Sequence, residues 1–167
     1  VDLAGVTVRR ATLNNYGVIL RKYVKKGSRG LIRRSNEVIP EILGTVEHAE
    51  GSIDIQKPTV CPFCGTTLTE NGANIFCPNR LCRPRVVAKL AHFASKDAMD
   101  IEGFSEKTAE QLHDEFGLVN ASQLYGLTKE KLLSLDGFKN KKAENLLSAI
   151  EKSKAVTLDK FIYALGI

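Results

Sequence analysis

Cys61-Pro62-Phe63-Cys64-Gly65, followed by Cys77-Pro78-Asn79-Arg80-Leu81-Cys82, contains every cysteine of this 167-residue chain. The spacing is C-x2-C-x12-C-x4-C. Two close pairs joined by about a dozen residues can wrap one tetrahedral Zn²⁺, each pair curling its backbone around the ion. Gly65 follows the second cysteine, where a turn of that kind needs positive φ. Cys77-Pro78-Asn79 offers a second tight turn. Two disulfides, or four buried thiols, are the alternative readings. No signal peptide or membrane-length apolar run points to an oxidising compartment, so zinc is the expectation and the location expected is cytoplasmic. Cys61, Cys64, Cys77 and Cys82 would fill all four positions, leaving none for water, so the metal's expected role is structural.

Charge divides the chain around that segment. Residues 1–60 carry an excess of four positive charges and residues 61–95 an excess of three, whereas residues 96–167 carry an excess of two negative charges. Basic stretches of this size suit nucleic acid but are also ordinary on soluble surfaces. Seven Phe, four Tyr and no Trp argue against a large aromatic core or a base-stacking platform. The chain has no initiator Met and stops at Ala164-Leu165-Gly166-Ile167, as a piece of something larger would.

Residues 1–58 read as short β-branched stretches at Val6, Val8 and Val18-Ile19-Leu20, with Gly27 and Gly30 bracketing a turn. A further strand is expected over 38–46, with Pro40 at an edge or bulge. No helical period is evident, and a small barrel like the five-stranded oligonucleotide-binding (OB) fold follows. Arg9-Arg10, Lys25-Lys26 and Arg33-Arg34 are paired cations near strand ends or turns. They are either solvated turn charges or phosphate contacts on a rigid scaffold. Pro58 and the polar run before it read as a linker.

After Arg80, Arg83 and Arg85, which crowd the last cysteine, the period becomes helical. Val86, Val87, Leu90 and Phe93 share one face. Ile101-Glu102-Gly103-Phe104-Ser105-Glu106-Lys107 then recurs as Leu135-Asp136-Gly137-Phe138-Lys139-Asn140-Lys141, with Ala109/Ala143 and Leu112/Leu146 at matched offsets. This internal repeat reads as helix, tight turn, helix. Helix-hairpin-helix motifs hold duplex phosphates on turn amides and a helix N-terminus without reading sequence. Gly103 and Gly137 would make the turns, and Ser105 can cap its helix. The usual motif carries a second glycine where Ser105 and Lys139 stand. Lys107, Lys141 and Lys142 would reinforce the phosphate sites or simply solvate a helix, and Phe104 and Phe138 would plug the core. Thr128 caps a further helix, and Leu165-Gly166-Ile167 resembles the start of a third copy. His48, His92 and His113 form no acid–base constellation.

Several stretches together resemble the bacterial NAD-dependent DNA ligases: Val1 to Val8 with Arg10-Ala11-Thr12-Leu13-Asn14-Asn15; Arg33 to Pro40, similar to that family's "RRAGDVIP"; and Phe161 to Ile167. The family has His-Asn at Asn14-Asn15 and Ala-Gly-Asp at Ser35-Asn36-Glu37. The order of parts is similar throughout. The resemblance implies a multidomain α+β chain: a partial OB barrel over 1–58 lacking its first strand, a four-cysteine zinc finger over 59–84, and an all-α helix-hairpin-helix domain over 85–167. In such ligases an upstream domain takes AMP from NAD onto a lysine, then passes it to the 5′-phosphate of a nick. Lys96-Asp97-Ala98 and Leu135-Asp136-Gly137 both fail the Lys-x-Asp-Gly pattern of that lysine. The resemblance therefore implies no catalytic residue here, NAD and Mg²⁺ held mainly by other parts of the enzyme, and inactivity of this segment alone. It implies a monomer, no membrane, and a grip on nicked double-stranded DNA through Arg9, Arg10, Arg33, Arg34, Gly103, Ser105, Lys107, Gly137, Lys139 and Lys141. A non-catalytic DNA-binding module of another repair or replication protein is the alternative, and a zinc protein that binds other proteins is a third reading.

Overall fold

The structure, a computed structural model, describes residues 2, 3, 5–35 and 39–167. Two compact units emerge. One runs to Cys61 and takes in Gly65–Pro78, and the other comprises Pro62–Cys64 and Asn79–Ile167.

The first unit opens with a two-residue ladder, β1 (Asp2–Leu3) against β2 (Val6–Thr7). A short helix follows, α1 (Tyr16–Arg21), where the sequence suggested a strand through Val18-Ile19-Leu20. The cap overrides the β-branched text. Asn15 lies at φ −150° and its side chain accepts from the Val18 N–H at 3.1 Å, supplying one of the bonds a helix start lacks. Asn14 sits just before it at φ 57°, a left-handed conformation that Asn tolerates better than most residues. Val18 is the buried residue of α1.

The main feature of this unit is an antiparallel ribbon of β3 (Lys25–Ser35) and β4 (Ile39–Asp54). The expected strand over 38–46 is thus present from Ile39 and runs on to Asp54. Gly27 and Gly30 do not bracket a turn. Both lie inside β3, beside the register shifts between Lys26 and Ser28 and between Arg29 and Gly30, with a third shift between Leu31 and Ile32. Gly27 has φ 90°, as an extra residue in a bulge allows. At Gly30 a Cβ would meet the Gly44 carbonyl oxygen at 3.1 Å, so the strands approach where no side chain stands between them. Pro40 pairs with Arg34 near the end of β4, and its carbonyl accepts from the Thr12 N–H at 2.9 Å. The turn text at Asn36, Glu37 and Val38 lies outside the described residues. A hairpin of β5 (Thr69–Asn71) and β6 (Asn74–Phe76) turns at Gly72, φ 59°.

The second unit is helical: α2 (Arg83–Ala94), α3 (Glu106–Phe116), a 3₁₀ turn (Ala121–Gly126), α4 (Lys129–Leu133), α5 (Asn140–Ser153) and α6 (Leu158–Leu165). Val86, Val87, Leu90 and Phe93 are buried together on α2, as their spacing predicts. The repeat builds the rest of the core. Ala109 with Leu112, and Ala143 with Leu146, are buried at matched positions of α3 and α5. Phe138 is buried and Phe104 packs against the cluster, so both rings serve the core. Thr128 caps α4. No helix among the described residues is long and apolar enough to cross a membrane.

Candidate metal centre and nucleic-acid interface

The sulfurs of Cys61, Cys64, Cys77 and Cys82 all lie within 4.8 Å of one another, a single cluster and not two separate pairs. A tetrahedron with bonds of about 2.3 Å to sulfur has edges of about 3.8 Å, so a small inward movement of four thiolates would complete one. The donor set fits a metal such as zinc. Local hydrogen bonds shape both arms. The Cys61 N–H donates to the Thr66 carbonyl and the Gly65 N–H to the Cys61 carbonyl, both at 2.9 Å, with Gly65 at φ 69° as its place in the sequence predicts. In the second arm the Leu81 N–H donates to the Asn79 side-chain oxygen at 2.9 Å and the Cys82 N–H to the Asn79 carbonyl at 3.2 Å. Cys61 and Cys82 are buried, Cys77 is half-buried and Cys64 is exposed. Cys82 is also the N-cap residue of α2, with Pro84 in the first turn.

Of the arginines near the last cysteine, Arg83 is not a free surface charge but pairs with carboxylates of α3. It reaches Asp114 on α3 through two nitrogens, at 2.8 and 2.7 Å, and Glu110 at 3.4 Å. The Asp114 hydrogen bond raises the Arg83 pKa further, and the Arg83 hydrogen bond holds the Asp114 carboxyl below its ordinary value. This fork ties α2 to α3. Nothing in the spacing of Arg83 and Asp114 announces it, because the partners stand 31 residues apart.

The two predicted turns share one geometry. The Phe104 N–H donates to the Ile101 carbonyl and the Phe138 N–H to the Leu135 carbonyl, each at 3.2 Å. The glycine in third place has φ 80° at Gly103 and 75° at Gly137, the conformation a type II turn requires there. The helices that follow differ at their starts. Ser105 caps α3 by accepting from the Thr108 N–H at 3.2 Å, with Glu106 in the first turn. Lys139 holds the same place before α5, which has neither a side-chain cap nor an acidic residue in its first turn. Replacing Ser105 with alanine is expected to cost about 1 kcal/mol. Thermal unfolding of the variant checks this, and an unchanged midpoint would mean that the cap contributes nothing.

Gly103, Gly137, Lys139 and Lys141 line one cavity together with Lys142 and Asn145. Ser105 and Lys107 lie beyond its lining, on the α3 side. Sequence reasoning missed Asn145 and its counterpart in the first repeat, Gln111. The Gln111 side-chain amide donates to the Asp136 carbonyl at 2.9 Å and holds the second turn against the first repeat. A polar residue directly before the buried leucine in both copies was the signal that could have found them.

In the ribbon unit, two of the six cations expected at turns and strand ends, Lys25 and Arg33, have carboxylate partners, as does the neighbouring Arg29. Arg33 meets Glu41 at 2.6 Å, Arg29 meets Glu47 at 3.2 Å and Lys25 meets Asp54 at 3.1 Å, all cross-strand. Arg9 and Arg10 are exposed on the segment after β2, and no ion pair involves them among the described residues. The Arg34 side chain lies outside the described residues. The histidines do structural work: His92 lies 2.9 Å from the Tyr163 carbonyl, His113 2.9 Å from the Leu118 carbonyl, and His48 2.8 Å from the Ser28 hydroxyl.

Comparison with known proteins matches residues 1–52 to the family model of the NAD-dependent DNA ligase OB-fold domain. DNA ligase 1 of Clostridium acetobutylicum is 56% identical over 169 positions, covering all of this chain and 26% of that protein. DNA ligase of Alkaliphilus oremlandii is 57% identical over the same span, again 26% of its length. The chain therefore spans about a quarter of the curated relatives it matches.

Proposed function

Because the chain belongs to the bacterial NAD-dependent DNA ligase family, we propose that it is the part of such an enzyme that grips duplex DNA around a nick. The single observation that carries this reading is identity above one half, sustained over the whole chain, to proteins named DNA ligase. We divide it functionally into a partial OB barrel over 1–58, a zinc finger over 59–84 and a helix-hairpin-helix domain over 85–167. The finger's metal is structural: four thiolates leave no open position, so it fixes the backbone and takes no part in chemistry. The repeat's glycine turns present backbone N–H groups to phosphate, a mode that suits a protein indifferent to base sequence. Arg9, Arg10, Arg33 and Arg34 add phosphate contacts from the barrel. Arg33 does so by exchanging its Glu41 partner for a phosphate, a trade that costs little at an exposed pair. NAD and Mg²⁺ chemistry belongs to other parts of the whole enzyme, which works in the cytoplasm as a monomer.

Fluorescence anisotropy with the zinc-loaded chain, on nicked and intact duplexes at several salt concentrations, tests the reading. Salt-sensitive binding, tighter at the nick, is the expected result. Arg33→Ala should lower affinity and reduce the slope of log K against log salt by about one. A folded chain with no affinity for duplex at low salt would refute the proposal.

A further inference from the structure

The four sulfurs of the metal centre lie close together but are not equally reachable. Cys82 is 2% exposed and Cys61 6%, Cys77 is half-buried, and Cys64 is exposed. The flanks of Cys64 are open as well. Phe63 before it is 67% exposed, and a Cβ added at Gly65 after it would meet nothing within 4 Å. A small solute therefore has a path to the Cys64 sulfur that Cys61 and Cys82 lack. Thiolate character and exposure together decide which cysteine an oxidant takes, and metal-bound sulfur is thiolate.

The same arm holds a second sulfur beside the first. Cys61 stands three residues before Cys64 with its sulfur within 4.8 Å, and the Gly65 N–H closes the turn between them on the Cys61 carbonyl at 2.9 Å. A C-x-x-C pair can join without unfolding the turn that carries it. Joining Cys64 to Cys77 instead would close a loop of fourteen residues rather than four, and the longer loop costs more entropy to close.

We propose that Cys64 and Cys61 form a site of peroxide modification, in which Cys64 takes the oxidant and Cys61 closes a disulfide on it, so that the chain gives up its metal. The Cys64 thiolate attacks one oxygen of hydrogen peroxide. The O–O bond breaks, hydroxide leaves, and the sulfur becomes a sulfenic acid, oxidised by two electrons as the peroxide is reduced. The Cys61 thiolate then attacks the Cys64 sulfur. The S–S bond forms, the S–O bond breaks, and a second hydroxide leaves; two solvent protons convert both hydroxides to water. Cys77 and Cys82 remain as two thiolates, too few for a four-thiolate centre. In the helical unit the change reaches the first turn of α2, where the Arg85 and Val86 N–H groups donate to the Cys82 carbonyl at 2.9 and 3.0 Å. The Arg83 fork to Asp114 still holds the helix against α3.

The test treats the zinc-loaded chain with hydrogen peroxide, follows released zinc with a chromogenic chelator, and maps the remaining thiols by alkylation and mass spectrometry. Cleavage after Glu70 separates the first pair from Cys77. The expected result is one zinc released per disulfide, with Cys61 joined to Cys64, Cys77 and Cys82 alkylated, and zinc binding restored by a dithiol reductant. Oxidation of Cys77 or Cys82 ahead of Cys64, or zinc retained in a large excess of peroxide, overturns the proposal. Cys64→His keeps four ligands, since three cysteines and one histidine also hold zinc, and should release it about tenfold more slowly. Cys77→His makes the same ligand change at a half-buried position and should stay within about twofold of the parent rate. Equal protection by both variants would assign the rate to the histidine ligand and overturn the role of Cys64. The thiol map of the parent chain decides the proposal even where a variant fails to load zinc. Hydrogen exchange at the Val86 amide should quicken on oxidation, and an unchanged rate there would overturn the link from the site to α2.

Discussion

Exchanging Cys82 for serine is expected to empty the metal centre; serine suits the N-cap of α2, so any loss of helix there reports the missing metal and not a missing cap. Cys82 is 2% exposed, supplies one of the four sulfurs, and is the residue from which α2 begins. Zinc contributes on the order of 10–16 kcal/mol in finger peptides, against about 5–15 kcal/mol for the entire stability of a typical domain. Losing one thiolate of four therefore outweighs any single packing change in this chain. The purified variant should hold less than about one tenth of an equivalent of zinc, where the parent holds about one. A chromogenic chelator measures the metal, and far-ultraviolet circular dichroism measures the helix. Chelation of the parent chain should reproduce the loss without any mutation. A Cys82→Ser chain that keeps a full equivalent of tightly bound zinc would disprove the four-thiolate centre.

The second large effect lies in the repeat. Leu112 and Leu146 occupy equivalent positions on α3 and α5 and are 0% and 1% exposed. Truncating either to alanine removes buried methyl groups and leaves a cavity that packed helices only partly collapse. The expected cost is about 3 kcal/mol for each, within the range of such substitutions. For a helical unit of this size that is a fall of about 15 °C in melting temperature. Leu158→Ala, at a position 72% exposed, should change stability by less than about 0.5 kcal/mol and serves as the control. Equal effects at Leu112 and Leu146 would show the repeats to be energetically equivalent halves of one core. A fall for one only would mean that the other half tolerates collapse.

The parts of this molecule legible in its sequence are those where a short local rule decides the outcome. Four cysteines at fixed spacing, a glycine repeated after thirty-four residues and an apolar face on α2 each announced themselves and stand where expected. Ser105 caps α3, as a hydroxyl before a helix should. The misreadings came where a local signal competed with a better-placed neighbour. Val18-Ile19-Leu20 reads as strand until Asn15 is seen to cap it. Gly27 and Gly30 read as turn punctuation, yet a glycine also serves inside a strand where an extra residue or a close backbone needs room. The pairing of Arg33 with Glu41 and the fork of Arg83 on Asp114 depend on register and helix packing, which no spacing within the chain encodes. The convergence of both turns on one groove is likewise a property of how α3 and α5 lie together.

The interrupted ladder of the ribbon bears on solubility. Leu31, Leu43, Val46 and Ile53 are exposed along β3 and β4, a combination that ordinarily invites a foreign strand to dock and a fibre to grow. Such templating needs backbone donors and acceptors that repeat in step. Between Lys25 and Leu31 the register breaks so often that no more than two consecutive residue pairs stay in phase. The bulges twist the ribbon and spoil the template, so the strands can keep apolar side chains on their surface without recruiting copies of themselves.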